Sequence, residues 1–103
     1  MSSLRMPQSL VRRLGAEGDA ALRYELLEEQ AQSLGRAGRK VETALKALAD
    51  HPGGEDRAVA LKAAADAVWS FLVQREVMGL RDRNAVIAQY GIPREVLARL
   101  GAR

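Results

Sequence analysis

Apolar and small residues recur along the first half of the chain in the alternating steps of three and four residues that define a heptad repeat. The positions are Ala20, Tyr24, Leu27, Ala31, Leu34, Gly38, Val41, Leu45 and Leu48. Steps of this kind place one apolar seam along a single face of a helix. The pattern therefore predicts a long helix over about 19–50, and Asp19 is a suitable N-cap for it.

The residues on and beside the middle of this seam are unusually small: Ala31, Gly35, Ala37 and Gly38. Each glycine costs about 1 kcal/mol relative to alanine in a helix interior. Two explanations stay open at this point: the helix kinks near 35–38, or the backbone of a partner comes close there. We expect close approach, because the seam keeps its register across the glycines and a break would shift it.

A second helix is predicted over about 55–78, after the loop-forming residues 50–56. One of its faces carries Leu61, Ala64, Ala65, Val68, Phe71 and Leu72. Another carries Ala60, Trp69, Val73 and Val77. A helix that is apolar on most sides is buried on most sides. We therefore expect this to be the central helix, covered by the long helix and by at least one other element or subunit.

The N-terminal segment is predicted to form a short helix, Pro7–Leu14, with Pro7 at the first helical position and a loop at 15–18. With the C-terminal helices described next, the fold class is all-α. The architecture is an antiparallel hairpin of long helices, about 19–50 and 55–78, with short flanking helices at both ends. We predict a single domain, 1–103, in which 1–18 is an N-terminal arm and 79–103 a C-terminal helical corner.

Two short helices are predicted in the C-terminal corner, one over about 83–90 and one that starts at Pro93 and ends at Gly101. Asp82 caps the first, and Gly91 lies at the turn between them. This layout matches a helix-turn-helix, so the alternative function is DNA binding through 83–102. Its possible nucleic-acid contacts are Arg81, Arg83, Arg94 and Arg99. A generic corner of two helices fits equally well, and Glu95 would repel phosphate.

The amino-acid composition of the chain excludes most kinds of active site. The chain has no cysteine and one histidine, which excludes disulfide scaffolds, thiolate metal sites and cysteine nucleophiles. No glutamate is followed three residues later by histidine, as the carboxylate metal sites of helix bundles require. We predict no catalytic, cofactor-binding or metal-binding residue and no cofactor, and we expect that the protein is not an enzyme. An enzyme or small-ligand binder built on a helix-bundle pocket is a further alternative.

The apolar core is thin, because alanine supplies 18 of the 49 apolar residues. The few large apolar side chains must cover both the heptad seam and a second helix that is apolar on nearly all sides. One chain does not supply enough helix faces to cover both. We therefore predict a non-enzymatic, self-associating interaction or structural protein, most simply a homodimer. The candidate interface residues are Leu34, Gly38, Val41, Trp69, Phe71 and Val73. The sequence identifies no other protein partner.

No apolar run reaches the roughly 20 residues that a membrane span needs. Arg12 and Arg13 lie where the apolar part of a secretory signal would be. We therefore expect a cytoplasmic protein with no membrane partner. The net charge of +3 is small, and the two ends of the chain are basic while its middle is acidic. Binding to nucleic acid is accordingly not expected.

Residues 67–101 show a resemblance to known proteins. They include Ala-Val-Trp-Ser-Phe-Leu-Val-Gln-Arg-Glu, Gly-Leu-Arg-Asp and Tyr-Gly-Ile-Pro-Arg-Glu-Val-Leu. This stretch resembles small helical bacterial proteins that are classed as a family of unknown function, and the resemblance extends back toward Tyr24 and Glu25. It implies a stand-alone all-helical protein and assigns no role to any residue.

Overall fold

The computed structural model describes the backbone of residues 8–102; the side chains of residues 9–14 and 16 are not described. This part of the chain contains helices and no strand, so the all-α prediction is confirmed. The helices are α1 (Gln8–Ala49), α2 (Glu55–Val77), α3 (Arg83–Tyr90) and α4 (Arg94–Leu97). The bounds of α2 and α3 agree with the predicted bounds to within one residue.

The N-terminal prediction is wrong in one respect, because α1 is continuous from Gln8 and has no loop at 15–18. A separate helix ending at Leu14 and an N-cap at Asp19 are therefore not formed. Glycine lowers helix stability by about 1 kcal/mol but keeps both of its backbone hydrogen-bonding groups, so good helix formers around it can carry the helix through. Pro7 lies outside the described residues.

Contacts within the chain divide it into two units, residues 1–32 and 33–103. In the first unit, every residue of 17–32 is exposed. The second unit holds the hydrophobic core, to which α1 contributes its last turns. The core residues are Val41, Leu48, Ala64, Ala65, Val68, Phe71, Leu72, Val86, Ile92 and Val96. The long helices of the predicted hairpin thus pack together in this unit, over the part of α1 that follows Gln32.

The connection between α3 and α4 follows from local sequence. The Asp82 side chain accepts a hydrogen bond from the backbone N–H of Ala85 at 3.1 Å, which caps the start of α3. Gly91 ends α3 with φ of 62°, a left-handed conformation that glycine adopts without a steric penalty. The Ile92 N–H then donates to the Ile87 carbonyl at 3.1 Å. These two hydrogen bonds and the left-handed conformation of Gly91 confirm the predicted cap and turn.

The last helix is shorter than predicted. The sequence indicated a helix from Pro93 to Gly101, whereas α4 comprises only Arg94–Leu97 and is followed by turns. Val96 is fully buried in the core, so packing fixes this short helix in place. Within residues 8–102, no helix combines the length and the apolar character that crossing a bilayer requires.

Candidate functional site

Three of the candidate interface residues are buried inside the chain. Val41 is 0% exposed, Phe71 is 4% exposed, and Gly38 is also buried. Leu34 is half-buried against the same core. Other parts of the same chain cover these residues, and Tyr90 of α3 contacts Phe71 and approaches Gly38. Those three positions therefore serve the fold, and the sequence could not separate them from interface positions because both kinds are apolar.

The structure resolves the two explanations for the small residues of the seam. α1 is helical through 35–38, so the helix does not break there. A Cβ added at Gly38 would lie 2.6 Å from the Tyr90 hydroxyl oxygen and 3.5 Å from the nearest atom of the Phe71 ring. The close approach is therefore made by two side chains of the same chain, and the expected partner backbone is not what Gly38 accommodates. Tyr90 and Phe71 themselves meet edge to face, with ring centroids 5.3 Å apart.

Part of the second apolar face of α2 is exposed to solvent, although α4 contacts α2, as the expectation of a further covering element required. Trp69, Val73 and Val77 lie on this face, and Leu80 follows in the turn after the helix. Their exposed fractions are 42%, 39%, 80% and 42%. We call these four residues the α2 stripe. Contiguous exposed apolar side chains of this kind are typical of interaction surfaces.

The heptad seam of α1 also has an exposed part. Tyr24 and Leu27 are 70% and 63% exposed, whereas Val41 and Leu48, farther along the same seam, belong to the core. Leu22 and Leu26 are exposed as well, at 58% and 62%. The first unit therefore presents several large apolar side chains that are more than half exposed. The seam predicted a buried face but could not specify where along the helix the burial ends.

The C-terminal arginines lie on and around two short helices. Arg81, Arg83, Arg94 and Arg99 are all exposed. α4, which would be the recognition helix, has only four residues. Arg83 is also engaged, since its guanidinium donates to the Glu76 carboxylate at 2.8 and 3.1 Å. Recognition helices present side chains to base edges in the major groove, and α4 offers a single turn for this purpose.

The start of α4 is tied to the start of α2 by one ion pair. Arg57 donates two hydrogen bonds to the Glu95 carboxylate, one of them with Nη1 and Oε2 3.0 Å apart. This hydrogen bonding, aided by charge attraction, lowers the pKa of the Glu95 carboxyl group. The same contact raises the pKa of the Arg57 guanidinium. Glu95 therefore pairs with a residue 38 positions away in the chain. The sequence did not predict this pair, because no local pattern links the two residues.

A polar cleft of about 320 Å³ lies between α1 and α2 in the second unit. Its lining residues are Ser33, Arg36, Ala37, Lys40, Asp66, Ala67, Ser70 and Gln74. Of its polar residues only Gln74 stood out in the sequence, as part of the charge-dense segment 74–76, and this cleft was not predicted. The spacing of Ser33, Arg36 and Lys40 does put them on one helix face, but only the packing of α2 brings Ser70 and Gln74 opposite them. Among residues 8–102, no three carboxylate or histidine side chains are grouped so that they could hold a metal ion.

Comparison with known proteins gives a family and no activity. The chain belongs to a family of unknown function, DUF6665, whose model matches residues 2–103. The resemblance noted in residues 67–101 is therefore confirmed and extends over nearly the whole chain. No curated protein and no solved structure matches it.

Proposed function

We propose that this member of the DUF6665 family is a non-enzymatic interaction protein that self-associates, with the α2 stripe as its interface and a second copy of the chain as the occupant. The observation that supports this is the exposure of Trp69, Val73, Val77 and Leu80 in one line. Burying large apolar side chains is the main favourable term in association. Tryptophan is also enriched among the residues that dominate interface energies.

The stripe is suited to pairing with itself. In an antiparallel arrangement of two α2 helices about a two-fold axis at Val73, each Trp69 lies opposite Val77 of the second copy. A large side chain then meets a small one on both sides of the axis, as interdigitating helix surfaces require. Such an interface is isologous, because the same patch is used by both subunits, and it closes at a dimer.

Charges at the two ends of the stripe favour the same orientation. Asp66 lies one turn before Trp69. The Lys62 ammonium group donates a hydrogen bond to the Asp66 carboxylate at 3.0 Å. Arg81 follows Leu80 at the opposite end and is exposed. The antiparallel arrangement brings Asp66 toward Arg81 of the second copy, whereas a parallel one superimposes like charges. Peripheral charges of this kind contribute more to orientation than to affinity.

Sedimentation equilibrium at micromolar concentration tests the proposal with two matched variants. The wild-type chain should sediment at twice its mass of 11.2 kDa. Val73→Glu should be monomeric, because it buries two unpaired carboxylates at the two-fold axis. Val59→Glu is the control: Val59 is 69% exposed on α2 but lies outside the proposed overlap. It should remain dimeric.

Two results would overturn the proposal. A monomeric wild-type protein would remove self-association altogether. A dimeric Val73→Glu protein combined with a monomeric Leu27→Glu protein would move the interface to the exposed part of the α1 seam. Both glutamates replace solvent-exposed apolar residues, so loss of folding is not expected, and circular dichroism of each variant checks this.

A further inference from the structure

We propose that the cleft between α1 and α2 binds a small oxyanion, that is, a phosphate or carboxylate group on a small molecule. The cleft lies on residues 33–40 of α1 and 66–74 of α2. Its volume of about 320 Å³ is at the lower end of the range for ligand pockets, so only a small ligand fits. Polar groups from two helices converge on it, and this convergence distinguishes a binding site from an ordinary groove.

The α1 wall supplies the positive charge. Arg36 and Lys40 are four residues apart and therefore lie on one face of the helix. Both line the cleft, and both are exposed along it. Lys40 has no ion pair with any residue between 8 and 102, so its ammonium group can turn toward a ligand. Hydrogen bonds between such cations and an oxyanion are about twice as strong as neutral ones.

The α2 wall supplies neutral polar groups. The Gln74 side-chain amide donates to the Ser33 hydroxyl oxygen at 2.9 Å, which ties the two helices together at one end of the cleft. A serine hydroxyl that accepts a hydrogen bond still has its own proton to donate. Ser70 adds a second hydroxyl, one turn from Gln74. Two hydroxyl donors beside the Lys40 ammonium group form a donor set for an oxyanion.

The only acid in the cleft lining is already engaged. Lys62, one turn earlier on α2, donates to the Asp66 carboxylate at 3.0 Å. The Lys62 and Asp66 charges offset each other, so the Asp66 carboxylate does not neutralise the Lys40 ammonium group. Ala37 and Ala67 are half-buried at the base of the cleft, where larger side chains would fill it. The small residues thus leave space for the cavity, and the polar residues supply the groups that would bind a ligand in it.

Titrations followed by amide NMR shifts test this inference. Sodium phosphate and sodium succinate are added in separate arms, with sodium chloride at matched ionic strength as the reference. Phosphate, succinate or both should shift the amides of Ser33, Ser70 and Gln74 in a saturable way, and the comparison of arms shows which oxyanion the cleft takes. Lys40→Gln should weaken that binding by about tenfold or more. Lys46→Gln removes the same charge from the last turn of α1, outside the cleft, and should leave the affinity unchanged.

Three results would overturn the inference: no saturable shift in either arm, equal weakening by Lys40→Gln and Lys46→Gln, or saturable shifts confined to other residues. Equal weakening would mean that the anion responds to the general field of the chain. Both lysines are exposed, so neither variant should impair folding. Asp66 lines the cleft and also lies near Arg81 of the second copy in the proposed dimer, so the titration is repeated in the monomeric Val73→Glu variant, which separates anion binding from self-association.

Discussion

Gly38 is the position where a single added methyl group tests the packing most directly. In a helix interior, alanine is favoured over glycine by about 1 kcal/mol, so Gly38→Ala would stabilise an uncrowded helix. Here the new Cβ would lie 2.6 Å from the Tyr90 hydroxyl oxygen. To reach an ordinary contact of 3.4 Å, the Tyr90 ring must move by about 0.8 Å, the difference between the two distances.

That movement disturbs the edge-to-face contact of Tyr90 with Phe71, which contributes about 0.5–1.5 kcal/mol beyond its buried area. Overpacking costs about 1–3 kcal/mol in total, and the cost here lies in the lower part of that range, because the Tyr90 hydroxyl is the far end of a half-buried side chain that can shift. We therefore expect Gly38→Ala to lower the free energy of unfolding by up to about 1 kcal/mol, despite the gain in helix propensity. Gly38→Leu should be worse, because its larger side chain must also displace Phe71.

Repeating Gly38→Ala in a Tyr90→Phe protein tests whether the Tyr90 hydroxyl causes the expected loss of stability. The hydroxyl oxygen is the only Tyr90 atom among the three nearest to the added Cβ, and the Phe71 atoms at 3.5 and 3.6 Å are ordinary contacts. With that oxygen removed, Gly38→Ala should stabilise the chain by about 1 kcal/mol. The coupling between the two substitutions is then about 1–2 kcal/mol, within the range for residues in contact.

Urea unfolding of the four proteins of this cycle, all at one protein concentration, measures the coupling. A fixed concentration is needed because self-association adds to apparent stability. A coupling energy below about 0.5 kcal/mol, the usual limit of additivity, would refute the close approach of Tyr90 to Gly38. Stabilisation by Gly38→Leu would refute it as well.

Three further predictions concern α3, α4 and the chain ends. Asp82→Ala should lower the free energy of unfolding by about 1 kcal/mol through loss of the cap on α3, whereas Asp82→Asn should retain most of it; equal losses in thermal melts would contradict the cap. Because Arg57 lowers the pKa of Glu95 in the folded chain, the pair's contribution is present above the ordinary carboxyl pKa and is lost as the pH falls through the lowered value. The stability difference between wild type and Glu95→Gln should therefore shrink on acidification, and a difference that grows would argue against the ion pair. DNA binding should be weak and non-specific at low salt and undetectable at about 150 mM, where screening is strong. A sequence-selective complex that survives that salt and is lost in Arg94→Ala would favour the DNA-binding alternative.

Local sequence was sufficient to predict the structure wherever the stabilising interactions join residues close together in the chain. The start and end of α3 depend on Asp82, Gly91 and Ile92, whose hydrogen bonds reach no farther than five residues along the chain. The sequence reading was wrong where local rules compete, as at residues 15–18. Two glycines there suggested a loop, but the helix formers on both sides and the absence of proline between Pro7 and Pro52 allow α1 to continue.

The periodicity of α1 and α2 determined which residues share a helix face, because that depends only on 3.6 residues per turn. Which face is covered was decided by tertiary structure. Phe71 and Trp69 are both aromatic residues of α2, yet the first is buried against α1 and α3 while the second is open. The Arg57–Glu95 pair and the cleft at Lys40 likewise join groups that are distant in sequence. Burial and ion pairing depend on atoms supplied by another segment, and a pattern along one helix carries no information about that segment.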